Sequence, residues 1–143
     1  QVATSAGTSV SNLLNQLKTL ALTASDTSLD ATSLAATNTQ FRSILTQITQ
    51  IVSNSDFNGV NMIKTGGTNV MALATATGGQ ITVLAQNLAL GGANMLQVSA
   101  NASIGTTALA TAQLTALQTK QQLGIQALSI ANQSSAALLS LFR

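Results

Sequence analysis

Residues 30–59, DATSLAATNTQFRSILTQITQIVSNSDFNG, decide how the rest of the chain is read. Leu34, Phe41 and Ile48 stand seven apart, Ile44 and Ile51 fill the alternate seam, and Leu45 and Val52 widen it. Thr37 takes the one place that would complete the seam. Apolar residues at steps of three, four and seven mark one face of an α-helix that packs on other helices. A helix is therefore expected from near Asp30 to about Asn54. Asp56-Phe57-Asn58-Gly59 should end it, since Asn and Gly tolerate positive φ, with Phe57 folded back as an apolar plug under the turn.

A second stripe precedes this helix. Val10, Leu13, Leu14, Leu17, Leu20 and Ala21 repeat at three and four and predict a helix from about Val10 to Thr23. Ser25-Asp26-Thr27-Ser28 between the two favours a turn or a helix N-cap over continued helix. Leu13, Leu17, Leu20, Leu34, Phe41, Ile44, Ile48, Ile51 and Phe57 are the expected packing residues of this helical part.

Past Gly59 the period changes. Asn69 to Ala74 and Gln80 to Gln86 read as short strands, the second alternating through Ile81, Val83 and Ala85 until Leu84 breaks the pattern. Gly78-Gly79 suits a hairpin turn. From about Thr107 to Phe142 a long helix is expected, with 22 uncharged residues between Lys120 and Arg143. Its apolar residues fall on two faces. Leu114, Leu117, Leu128, Leu138 and Phe142 form one stripe, and Leu123, Ile130 and Leu141 belong to another. A helix apolar nearly all round must be buried all round. Gln121, Gln122, Gln126, Asn132 and Gln133 interrupt the stretch, so a bundle suits it better than a membrane span.

Composition excludes most chemistry. The 143 residues hold no Cys, His, Trp, Tyr or Pro. No thiolate nucleophile or ligand and no imidazole base is available. Asp26, Asp30 and Asp56 are the only carboxylates, and the abundant hydroxyls lack their usual His partner. An enzyme is not expected, nor a cofactor or metal site. Five basic residues against three acidic give a formal +2, scattered along the chain without aromatic partners, which does not fit nucleic-acid binding. Only 6% of residues are charged, where about 25% is usual. A subunit covered by identical copies can dispense with the charge that keeps a monomer apart. QVATSAGTSVSN at the start has neither the basic opening nor the apolar core of a signal peptide, so no cleavable one is expected.

Three segments together resemble one family. LLNQLKTLALTASDTSLDATS (13–33), TQFRSILTQITQIVSNSDFNG (39–59) and LQTKQQLGIQALSIANQSSAALLSLFR (117–143) are similar to bacterial flagellins, the last especially to those of alphaproteobacteria. The resemblance implies a mainly α fold: an elongated rod of coiled-coil-like helices, a small β-hairpin region and a long C-terminal helix. Residues 1–63 correspond to the N-terminal part of the rod domain, 64–106 to its β-hairpin and loop part, and 107–143 to the filament-core helix. It also implies an extracellular structural subunit that polymerises into the flagellar filament for swimming. Leu123, Ile125, Leu128, Ile130, Leu138, Leu139, Leu141 and Phe142 would then carry polymer contacts. Further implied partners are an export chaperone, the hook–filament junction proteins and the cap. Members also carry an additional N-terminal helix and a longer rod helix before LQTKQQLG, so the sequence is expected to omit parts of a longer chain. A secreted membrane-associating or adhesive surface protein is the alternative reading.

Overall fold

The structure, a computed structural model, describes residues 2–73, 78–91 and 98–115. Two α-helices of 23 residues dominate it, α1 over Val2–Ala24 and α2 over Ala31–Ser53. Two small antiparallel strand pairs follow: β1 (Asp56–Phe57) with β2 (Val60–Asn61), and β3 (Val70–Leu73) with β4 (Gln80–Val83). Residues 107–115 are again helical. The chain is mainly α with a small β part, as expected. Most of the long C-terminal helix expected over 107–142 lies outside the described residues.

The limits of α2 are written locally. Asp30 is its N-cap, with an extended backbone and a carboxylate that accepts the N–H groups of Thr32 and Ser33, each at 2.9 Å. Asn54 closes the other end, its N–H bonded to the Gln50 carbonyl. α1 begins eight residues before the expected Val10. Its first turns bury Ala6 and Gly7 but are otherwise rich in Ser and Thr, so the apolar stripe is faint there. Those hydroxyls join the helix, Thr8 Oγ1 donating to the Thr4 carbonyl and Ser9 Oγ to that of Ser5.

The two helices pack antiparallel. The start of α1 lies beside the end of α2, where Val2, Ser5 and Ser9 share a groove with Gln47, Gln50 and Asn54. Their contact buries Val10, Leu13, Leu14, Leu17 and Ala21 of α1 with Phe41, Ile44, Leu45, Ile48 and Val52 of α2. Leu17, Phe41 and Ile48 have no exposed surface, while Leu20, Leu34 and Ile51 are partly buried at the margins. Ile63, Leu88, Val98, Ala102, Ile104 and Ala110 extend the same core beyond the helices. Removing so much apolar surface from water is the main stabilising term.

Phe57 is a correction. It is 65% exposed and does not fold under the turn. Asn58 and Gly59, with φ of 50° and 78°, make a two-residue hairpin turn that pairs Phe57 with Val60 and Asp56 with Asn61. Cross-strand partners share a face, so when Asn61 turns inward Phe57 turns outward. Asn61 occupies the place expected for Phe57. It is 1% exposed, and its Nδ2 donates to the carbonyls of Val52 and Ser53 while its Oδ1 accepts the N–H groups of Ile63 and Lys64.

The second hairpin attaches through backbone bonds that follow β4, from Gln86 N–H to the Met62 carbonyl and from Leu88 N–H to that of Ile63, both 2.8 Å. Gly78 has the positive φ, 91°, expected at the turn. Ala74, the expected end of the first strand, lies outside the described residues, and strand pairing stops at Val83, where Leu84 breaks the alternation.

Candidate functional site

No catalytic constellation is assembled among the described residues. Among the described residues no group of three or more His, Cys, Asp or Glu could hold a metal ion. Two of the three carboxylates serve the backbone. The N–H and then the hydroxyl of Ser28 hold the Asp26 carboxyl below its ordinary range, and the N–H and hydroxyl of Ser33 do the same for Asp30. Asp30 caps α2, and Asp26 closes the turn between the two helices on Ser28. Among the described residues no helix is long and apolar enough to cross a membrane.

What the molecule offers is surface, of two kinds. The helices present hydroxyls already bonded within the helix: Thr19 to the Asn15 carbonyl, Thr23 to Thr19, Thr39 to Ala35 and Thr46 to Arg42. Such a face can lose water without leaving its donors unpaired, which makes it cheap to cover. The strands present apolar side chains to solvent instead. Phe57, Met71, Leu73 and Leu84 are each more than 60% exposed. Beside Phe57 an open groove of about 400 Å³ is lined by Val2, Ala3, Ser55, Phe57, Val60, Met62 and Val70. Its lining carries no charge.

The structure brings together the expected packing residues Leu13, Leu17, Leu20, Leu34, Phe41, Ile44, Ile48 and Ile51 in one seam. Phe57 stands apart on the surface. Leu123, Ile125, Leu128, Ile130, Leu138, Leu139, Leu141 and Phe142 lie outside the described residues. Sequence reasoning missed Asn61 and Asn38. Asn38 Oδ1 accepts the Ser103 hydroxyl and the Ile104 N–H, fastening residues 103–104 to α2. A polar Asn among Val60, Met62 and Ile63 was a usable signal for the first; the second depends on a contact 65 residues away and has no local mark.

A family model for the bacterial flagellin N-terminal helical region matches residues 1–68. Flagellins FljM and FljO of Caulobacter vibrioides are 37% and 36% identical to the chain, over 99% of its length and 72% of theirs. These alignments run over 196 positions against 143 residues here, so the relatives carry positions inside the matched region that have no counterpart in this sequence. The fold resembles the crystal structure of Bacillus cereus flagellin, with a TM-score of 0.80 over 96% of this chain and 78% of that one. At 20% identity that likeness shows the fold alone. The relatives, with the family model over residues 1–68, place the chain in the bacterial flagellin family, structural subunits of the extracellular flagellar filament.

Proposed function

We propose that this flagellin divides filament building between a stiff rod and an adhesive tail. As a member of its family it is a structural protein of motility, self-assembling with further flagellin subunits and catalysing nothing. The matches give no support to the membrane-associating or adhesive alternative. In the finer reading, residues 1–63 and 64–106 form the rod part, stiffened by the seam at Leu17, Phe41 and Ile48. Residues 107–143 supply the filament-core helix, and Leu123, Ile125, Leu128, Ile130, Leu138, Leu139, Leu141 and Phe142 make its polymer contacts. One observation carries this division: 22 consecutive uncharged residues with apolar positions on two helical faces, more than one neighbouring helix can shelter.

Before assembly the same tail suits an export chaperone, whose role would be to cover it. Junction and cap proteins at the two ends of the filament complete the partners that the family resemblance suggests. Leu128→Asp and Ile130→Asp test the reading. A charge buried without a partner in the polymer costs on the order of 3–5 kcal/mol per contact. Filaments are expected to vanish under negative-stain microscopy while the soluble subunit keeps its helical circular dichroism. Normal filaments from Leu128→Asp would remove the tail from the interface.

A further inference from the structure

Of the chain's asparagines, Asn58 alone precedes a glycine. Such a pair can react with itself in water. The Gly59 nitrogen attacks Asn58 Cγ and gives its proton to solvent. The new C–N bond closes a succinimide ring, the Cγ–Nδ2 bond breaks, and the side-chain nitrogen leaves as ammonia. Water then opens the ring at either carbonyl. One opening gives aspartate; the other gives isoaspartate, whose main chain runs through Cβ and Cγ. Glycine favours closure because no Cβ obstructs its nitrogen. Both residues are exposed, and the Gly59 N–H takes no part in the strand pairing, which closes at Phe57 and Val60.

Turn geometry opposes the reaction. Positive φ at both Asn58 and Gly59, 50° and 78°, makes the two-residue loop a type I′ turn. A left-handed residue has ψ of about +47°. In an L residue the next nitrogen then lies nearly anti to Cβ across the Cα–C bond, whereas ring closure needs the two nearly eclipsed. We propose that Asn58-Gly59 is a self-modification site held shut by its own turn. It forms succinimide only when the hairpin opens, and the isoaspartate product keeps the hairpin from closing again. The second half follows from register. Isoaspartate lengthens the main chain by one atom inside a loop of two residues, so Phe57 no longer meets Val60 and Asp56 no longer meets Asn61. The burial of Asn61, and the bonds its Oδ1 accepts from the Ile63 and Lys64 N–H groups, depend on that register. Ordinary aspartate lacks this effect, because Asp tolerates the left-handed region as Asn does. Isoaspartate here therefore marks chains whose first hairpin has been open, however copies of the chain associate.

The full-length protein is held in mildly alkaline buffer, folded or in concentrated urea. Cleavage after Arg42 and Lys64 releases residues 43–64, and fragment masses separate Asn58 from Asn54 and Asn61 within that peptide. The expected result is deamidation at Asn58 in urea, slowed about tenfold or more in the folded protein, because a group that reacts only when open reacts in proportion to its open population. Equal rates with and without urea would overturn the protective turn. Faster reaction at Asn54 or Asn61 would overturn the choice of site. Gly59→Ala should slow the reaction in urea, where its fold is not at issue; an unchanged rate would mean direct amide hydrolysis and overturn the cyclisation. Modified protein is then returned to native buffer, with isoaspartate identified by an isoaspartyl methyltransferase. The isoaspartate fraction should lose hydrogen-exchange protection at the Ile63 and Lys64 N–H groups, while Asn58→Asp keeps it. Parent-like protection in the isoaspartate fraction would overturn the blocked return. Equal loss in Asn58→Asp would assign the effect to charge and overturn the argument from chain length.

Discussion

The side-chain nitrogen of Asn61 donates to the backbone carbonyl of Val52 at 2.7 Å, and this contact ties the first hairpin to the last turn of α2. The last carbonyls of a helix have no partner within it, so a buried helix end needs an outside donor. Asn61 provides one, and its Oδ1 gathers two N–H groups of the following loop at 2.9 and 3.0 Å. Asn61→Leu keeps the bulk and removes all of these bonds. Leaving buried backbone groups unpaired is expected to cost roughly 2–4 kcal/mol. The measurement is the urea midpoint followed by circular dichroism; a midpoint within error of the parent would show that water replaces the side chain without loss.

Phe41 and Phe57 predict opposite outcomes for one substitution. Phe41 has no exposed surface and sits in the α1–α2 seam, so Phe41→Ala is expected to cost about 3–5 kcal/mol of folding stability. Phe57 is 65% exposed, and Phe57→Ala should change stability by no more than about 0.5 kcal/mol. Equal losses in paired denaturation curves would mean that Phe57 packs in solution as the sequence alone suggested.

The contrast shows where sequence reasoning reaches and where it stops. The limits of α2 were legible because Asp30 and Asn54 act on backbone groups within four residues of themselves. The α1–α2 seam was legible because helical period and apolar spacing coincide from Val10 to Val52. The first turns of α1 were not, since Thr4, Ser5, Thr8 and Ser9 look like a loop until the Thr8 and Ser9 hydroxyls bond back to the Thr4 and Ser5 carbonyls. Phe57 misled because hydrophobicity argues for burial, while the turn at Asn58-Gly59 fixes which of Phe57 and Asn61 faces inward. Turn geometry won. The exposed face at Met71 and Leu73 was also hidden, because strand periodicity shows that two faces differ without showing which one the rest of the chain covers.

Asp30 gives a pH signature. Its carboxyl is held below the ordinary value of 3.8, first by the Ser33 N–H and next by the Ser33 hydroxyl. A carboxylate with a depressed folded pKa stabilises the fold fully above its unfolded pKa, and that contribution fades as pH falls through the lower folded value. Thermal midpoints of the parent should therefore drop on acidification below about pH 4 more steeply than those of Asp30→Asn, which keeps a capping oxygen but cannot titrate. Asp30→Ala should melt lower than either near neutrality. Parallel acid profiles for the parent and Asp30→Asn would remove Asp30 from the acid response.

Sparse charge also predicts how the filament answers to salt. Ion pairs between subunits would weaken as the screening length shrinks, and like-charge repulsion would be relieved at the same time. With 6% of residues charged and none from Thr65 to Thr119, little of either kind is available to the rod surfaces described here. Burial of apolar side chains responds instead to salts that are excluded from protein surfaces, sulfate above all. The critical concentration for assembly is expected to change less than about twofold between roughly 0.05 and 0.5 M sodium chloride, and to fall clearly in sodium sulfate of equal ionic strength. Sedimentation of filaments from free subunits measures both. A steep rise with sodium chloride would place ion pairs among the few charged side chains, Lys18, Arg42 and Lys64 included, at the centre of the contact and displace the apolar faces from it.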